Sequence, residues 1–271
     1  MEIDSFTELV PLLSTFWRTI PAARQLKLES SLTLLKQDHQ LSQLYFLGRL
    51  EAHSVAYLLA FGTAGPDVFR ERKFYYSRNA VDWILLLEPT DWTEEWSRLW
   101  AEFTGNASFA FKMRSLAAGS TGVVVREQDR LWYVIHAILR EAAGVPRGAL
   151  RMSTARGVVL NPLFQGLTRS EMVQLVNYQH FRRPERPAEE NLRGRKKCDL
   201  SFDVLDRLEV DVLPEGQSFT MRVDDSGRLV VWSSLHWLGL EFFHKADSNV
   251  YGFFYQGDGR KNWDLPLMVE L

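Results

Sequence analysis

The chain has a single cysteine, Cys198. A lone thiol excludes an internal disulfide and a CxxC metal knuckle, and it removes any need for an oxidising compartment. No apolar run approaches the ~20 residues that span a bilayer. The opening stretch, MEIDSFTELV, carries Glu2, Asp4 and Glu8 where a signal peptide would be basic. Excess charge is also missing, because the formal net charge is −2 over 271 residues. No global field therefore draws the protein to nucleic acid or to an anionic membrane. A cytoplasmic setting is the expectation.

Paired metal ligands are lacking too. None of His39, His53, His136, His180, His236 and His244 lies in an HxxxH or HxH pair or at a standard spacing from a carboxylate. The stretch GSTG at 119–122 does not have the spacing of a GxSxG nucleophile elbow. Cys198 stands beside Lys196 and Lys197, neighbours that favour a thiolate, but no base is placed to use it. Asp203 with Asp206, and Asp224 with Asp225, fit caps and turns. The expectation is no catalytic, cofactor-binding or metal residue, and no cofactor.

Aromatic side chains are plentiful: nine Trp, eight Tyr and seventeen Phe. Such residues dominate cores and interfaces, which suits an assembly subunit. Apolar residues make up 46% and charged residues 24%, a globular composition. A chain of this length buries about three-quarters of its unfolded surface, so one compact domain over 1–271 is expected.

Along the chain, residues 5–40 read as helical. Leu9, Leu12, Leu13 and Phe16 form one stripe, interrupted by Pro11 and stopped near Pro21; Leu28, Leu32 and Leu35 form another. The segment 45–62 reads as a hairpin around Glu51-Ala52-His53-Ser54, and 74–87 as a strand pair around Ser77-Arg78-Asn79-Ala80. In 91–103, Trp92, Trp96 and Trp100 fall on one face of a helix that Asp91 can cap; the stripe serves the core or a partner groove. A strand at 122–126 and a helix at 130–143 follow, with Gly144 at the C-cap position and Pro146 beyond. Thr168 and Glu171 form a capping box, and Leu167 can staple onto Met172, so a helix runs from there toward Pro184 with His180 at its end.

Residues 182–197 mix seven basic residues with three glutamates and two prolines and read as a charged surface loop. Nucleic-acid binding would ask for a stacking aromatic surface beside that charge. From 218 onward the pattern is β: 219–223 alternates, 224–227 is a turn, and 229–243 is one long apolar run that places His236 in a strand. Residues 249–256 set Tyr251, Phe253 and Tyr255 on one face and Val250 and Phe254 on the other. A strand apolar on both faces is central in a sheet or lies against a partner.

The stretch GDGRK at 257–261 raises a phosphate loop, which would need a helix starting just after it. Pro266 and the spacing argue for a tight turn after a strand instead, with glycine supplying positive φ.

The segments without chemistry carry a resemblance. SSLTLLKQDHQLSQLYFLGRLEAHSVAYLLAFG at 30–62 resembles the opening of the radial spoke head protein 9 family of axonemal proteins, a helix ending in a Lys-Arg-Asp-like stretch followed by "FWGRI" and "DYYIAQG" strands. SRNAVDW at 77–83, PRGAL at 146–150 and NPLFQGLTRSEMVQLVNYQHFRRP at 161–184 resemble further family segments, in order. So do DVLDRLEVDVLPEG at 203–216, SSLHWLGLEFFH at 233–244 and NVYGFFYQGDGRKNWDLPLM at 249–268. Leu238 stands where the family's "WPG" has proline. Residues 88–125 and the first twenty-odd residues lie outside the resemblance.

The resemblance implies an α+β fold whose work is packing: a helical N-terminal portion with antiparallel sheets. It implies a non-enzymatic subunit of the spoke head in motile cilia and flagella. The implied partners are radial spoke head proteins 4 and 6, MORN-repeat head proteins 1 and 10, and spoke protein 3, with the central-pair projections opposite. Trp237, Phe242, Phe254 and Trp263 are the expected interface anchors. An enzyme, a nucleic-acid binder using 182–197, and an adaptor acting outside cilia remain as alternatives.

Overall fold

Runs of consecutive apolar residues, buried on both faces, build two meanders that join into one sheet. The computed structural model describes residues 1–16, 18–90, 92, 96, 102–113, 123–154, 157–185, 203–210 and 217–268. The first meander comprises β1 (Gln43–Leu50), β2 (Tyr57–Thr63), β3 (Lys73–Ser77) and β4 (Ile84–Leu86). Among the described residues, three short two-stranded pairs lie between the meanders. They are built from β5 (Ala110–Met113) with β6 (Val123–Arg126), β7 (Gly144–Pro146) with β10 (Tyr178–His180), and β8 (Leu150–Met152) with β9 (Val158–Leu160). The second meander is β11 (Phe219–Val223), β12 (Leu229–Ser234), β13 (Leu240–Lys245) and β14 (Tyr251–Gly257).

The eight-stranded sheet runs β11-β12-β13-β14-β1-β2-β3-β4. Its pairings are antiparallel except one. β1 and β14 run parallel, so the expectation of antiparallel sheets holds inside each meander and fails at their junction. Both hairpins expected at 45–62 and 74–87 are present. The two faces of the sheet bury separate cores. Tyr57, Leu59, Phe61, Phe253 and Tyr255 point to one, and Leu58, Ala60, Tyr75 and Phe254 to the other. The aromatic strand 249–256 is therefore central, between β13 and β1, with both faces covered.

Helices cover both faces. α1 (Phe6–Leu9) and α2 (Ala22–Asp38), with 3-10 turns at Ile3–Ser5 and Val10–Phe16, cover the second core. α2 buries Leu28, Leu32 and Leu35 as its spacing predicts, and each such burial stabilises by about 2 kcal/mol. Ser31, in the same stripe, accepts from the Trp83 indole at 2.9 Å and donates to the Ala80 carbonyl at 2.9 Å. α3 (Glu127–Glu141) covers the first core with an amphipathic sequence, and nearly every residue from Arg130 to Leu139 is buried, so it is packed on several sides. It ends at Glu141, and Gly144 is in β7, not at a C-cap. Glycine is needed there for room, since a Cβ would lie 2.8 Å from a Leu208 methyl and 2.9 Å from the Phe242 ring.

The capping box forms, with Glu171 accepting from the Thr168 N–H at 2.9 Å and its hydroxyl at 2.7 Å. These bonds hold the Glu171 carboxyl below its ordinary value. The helix it starts, α4 (Arg169–Met172), lasts one turn. A 3-10 turn at Leu175–Asn177 follows, and then β10, so His180 is buried in a strand and does not close a helix. Local propensity yields here to pairing with β7 and to burial of Tyr178, whose hydroxyl donates to the Met172 carbonyl at 2.9 Å.

The run 229–243 is two strands with a corner at 235–239, so His236 sits in the corner. GDGRK is a turn, with Gly259 at φ +75° and its N–H donating to the Tyr255 hydroxyl at 2.8 Å. Contrary to expectation, a one-turn helix, α5 (Leu265–Met268), follows it. Pro266 is tolerated because first-turn N–H groups have no partner within the helix. The Trp-stripe helix at 91–103 lies mostly outside the described residues. Trp92 and Trp96 are described, and both pack on Tyr133 of α3, at 5.7 and 6.2 Å between ring centroids.

His244 on β13 ties in the segment before α4. Its Nε2 accepts from the Leu167 N–H at 2.9 Å, and burial pushes its pKa from 6.5 to about 4. Below pH 6.5 the unfolded chain takes up a proton that the folded chain refuses. Stability is therefore full above pH 6.5 and declines as pH falls toward 4, by about 3 kcal/mol in total. Urea midpoints at pH 7.5 and 4.5 measure this. The decline should shrink in His244→Gln, and an equal decline in both proteins would refute the assignment.

Candidate partner-binding surfaces

The corner between β12 and β13 positions the first expected anchor. The Trp237 N–H donates to the Ser234 hydroxyl at 3.1 Å, and Gly239 adopts φ +95°. A Cβ on Gly239 would fall 2.0 Å from the Gln256 carbonyl oxygen, so the corner lies directly on β14. The Trp237 side chain is fully buried, and its indole donates to Glu141 Oε2 at 2.7 Å. Lys261 Nζ approaches the same oxygen at 2.9 Å and lies 4.4 Å from the centre of the Trp263 ring. A buried indole, a carboxylate, an ammonium and a surface indole thus follow one another from core to solvent.

Phe242 and Phe254 lie on opposite faces of the sheet. Phe242 packs against Tyr178 at 5.2 Å and Phe219 at 5.5 Å in the first core, and Phe254 meets Phe46 at 6.1 Å in the second. Side chains already enclosed by their own chain have no surface to offer another. Of the four expected anchors, Trp263 alone is substantially exposed, at 37%. It shares this end of the molecule with exposed Leu238, Leu267 and Met268. Asn262 holds the end together, its Nδ2 donating to the Leu235 carbonyl at 3.2 Å and to Met268 Sδ at 3.8 Å. The sequence signal for this patch was apolar residues inside a loop and after a turn, where no core period explains them.

Of the charged loop, 182–185 are described. Arg182 pairs with Asp206 at 3.5 Å, and Arg140 reaches Glu185 at 2.7 Å. The Asp203 carboxylate, its side chain nearly fully buried, receives two bonds from Arg147 at 2.8 and 2.9 Å. Two-pronged arginine–carboxylate pairs of this kind are the strong class of ion pair.

No motif in the sequence marks Glu127, a carboxylate that the fold encloses. It opens α3 and is fully buried. Oε1 accepts from the Tyr57 hydroxyl at 2.6 Å and the Gly105 N–H at 2.9 Å; Oε2 accepts from the Thr104 N–H at 2.7 Å and hydroxyl at 2.8 Å. Arg130 lies one turn on, its guanidinium 4.1 Å from the Phe103 ring centre. These groups fasten a loop to a helix. Among the described residues, no group of three or more His, Cys, Asp or Glu is arranged to hold a metal ion, and no helix is long and apolar enough to cross a membrane.

The chain is 33% identical to the radial spoke head protein 9 homolog of Bos taurus over 279 residues, covering 99% of this chain and 100% of that protein. The chain belongs to the radial spoke head protein 9 family. The Homo sapiens homolog is 33% identical and that of Xenopus tropicalis 32%, each with the same coverage. No protein-family model matches the chain. The segments first noted for their likeness to the family are those that fasten the fold. PRGAL contributes Arg147, GLTRSE the capping box, DVLDRLE both Asp203 and Asp206, and NVYGFFYQ the central strand β14.

Proposed function

We propose that the chain is a non-catalytic structural subunit of the radial spoke head in the axoneme of motile cilia and flagella. The observation that carries this reading is the collinear likeness, over 99% of the chain, to proteins named radial spoke head protein 9 homolog. The fold agrees with it, because the buried charged groups Glu127 and Asp203 are spent on fastening loops. Its neighbours are radial spoke head proteins 4 and 6, with MORN-repeat head proteins 1 and 10 and spoke protein 3 close by. The head faces the central-pair projections and passes their signal toward the dynein arms.

The surface around Trp263, Leu238, Leu267 and Met268 is the contact we assign to a sister head protein. Specific interfaces depend on a few aromatic or arginine anchors, and Trp263 is the aromatic ring this surface exposes. Tagged protein drawn from salt-extracted axonemes is expected to bring down head protein 4 or 6 in stoichiometric amounts. Trp263→Ala should keep the melting temperature within about 2 °C and lose most of that partner. Trp237→Ala should instead cost about 4 kcal/mol of stability, as deletion of a buried indole does. Recovery of the chain alone, or full partner retention by Trp263→Ala, would count against the reading at the level of the spoke or of the surface respectively.

A further inference from the structure

A cleft of about 800 Å³, open to solvent, lies where β1 and β14 meet the N-terminal segment and the β8–β9 pair. Its size falls within the range of sites that hold a ligand. The rings of Tyr45, Tyr251, Phe164 and Phe253 line it, with Glu2 and Arg151 also in its walls. The rings are held in place. Tyr45 stacks on Phe61 at 4.9 Å and donates to Gln43 Oε1 at 3.0 Å, while Phe164 meets Tyr251 edge-on at 6.0 Å.

Two carboxylates line the cleft, Glu8 and, beside Tyr45 across a β-bridge, Glu2. Its neighbour Asp4 is gripped by Lys36 Nζ at 2.6 and 2.8 Å. Among the described residues, no hydrogen bond or ion pair reaches the Glu2 side chain. Burial, and then the charge of Asp4, push the Glu2 carboxyl above its ordinary value. Lys36 and the terminal amine of Met1 oppose that push, but Lys36 is already held by Asp4 and burial lowers the amine to about 5, so Glu2 beside the rings remains an anionic site with room for a cation. Aromatic quadrupoles and a partly desolvated carboxylate favour the same ligand, an ammonium or a guanidinium.

We infer that this cleft seats a lysine or arginine side chain presented by an extended segment of another polypeptide, the cation resting between Glu2 and the rings of Tyr45, Tyr251 and Phe164. Arg151 in the same cleft decides for a polypeptide over a free small cation. It offers donors to a main-chain carbonyl or carboxylate beside the cationic residue, which an isolated cation does not carry. The inference rests on the assembly reading in one respect, that the occupant is a partner chain. The cleft is separate from the Trp263 surface and shares no lining residue with it.

The test uses the isolated full chain and two probes, acetyl-Leu-Arg-Leu-amide and the same tripeptide with neutral citrulline in place of arginine. Binding is followed by NMR of tyrosine-labelled protein. The arginine probe should bind about tenfold tighter than the citrulline probe and shift the ring signals of Tyr45 and Tyr251. Glu2→Gln should bring the arginine probe down to the citrulline level with the melting temperature unchanged. Equal binding of the two probes overturns the inference, as does failure of the arginine probe to move those rings at about 10 mM. So does undiminished arginine binding by Glu2→Gln. No spoke is needed for this readout. A negative result would leave the assembly reading standing, whereas a positive result with a failed axonemal pull-down would keep the cleft and discard the spoke.

Discussion

Gly48→Ala is expected to cost about 4 kcal/mol or more, a large part of the 5–15 kcal/mol that holds a typical domain together. Gly48 has φ +140°, a backbone region that L-residues with a Cβ avoid. Its Cβ would fall 2.0 Å from the Tyr255 carbonyl oxygen, across the parallel junction of β1 and β14. The residue sits in a β-bulge, because Phe46 pairs with Ala60 and Gly48 already with Leu59, leaving Leu47 as the extra residue. The bulge resets the alternation. Tyr45, Leu47 and Leu50 all reach the first core although the last two are three residues apart. A methyl group must therefore break the one seam between the two meanders or return Leu50 to the wrong face. Urea unfolding of Gly48→Ala beside Gly65→Ala measures the effect. Gly65 has open space around its Cβ position and should tolerate the change within about 1 kcal/mol. A loss below about 1 kcal/mol at Gly48 would mean that the seam bends freely.

Glu127→Ala is expected to cost about 3–5 kcal/mol, and Glu127→Gln about 2–3 kcal/mol. Alanine leaves the Tyr57 hydroxyl, the Thr104 hydroxyl and two backbone N–H groups without their acceptor. Glutamine keeps the shape but does not repair the chemistry. Whichever way the amide turns, its NH2 faces either the Gly105 N–H or the Thr104 N–H, and donor meets donor. Tyr57→Phe removes one bond and should cost about 1–2 kcal/mol. The order Ala, Gln, Phe in decreasing cost, read from denaturant midpoints, is the signature of a carboxylate that works by accepting. If Glu127→Gln were as stable as the parent, the four bonds would have no net worth.

Much of the sheet was legible because it depends on local alternation. Tyr251, Phe253 and Tyr255 against Val250 and Phe254 announced a strand covered on both faces, and that strand is central. Thr168 and Glu171 announced a helix start, since the capping box is made within four residues. The helix length was not legible, because β10 ends it through contact with β7, far away in the chain. The helix after GDGRK was hidden by a proline that does no harm in a first turn. The anchors were chosen by aromatic type alone. Trp237, Phe242, Phe254 and Trp263 look alike as sequence, yet three of them lie inside the cores and one at the surface. Glu2, Tyr45 and Tyr251 gave no sign of belonging together.

Legible in the sequence were the α+β class, two of the three hairpins of the first meander, the capping box, the turn at Gly259 and the family. Each of these rests on residues close together in the chain, or on the order of whole segments. The tertiary structure alone decided the parallel seam between β1 and β14, the burial of Glu127 under four donors, and the meeting of Glu2 with the rings of β1 and β14. Their physical reason is common. A parallel pairing, a buried carboxylate and a cleft are each made by groups brought together from far apart in the chain, and no local period records which distant partner satisfies them.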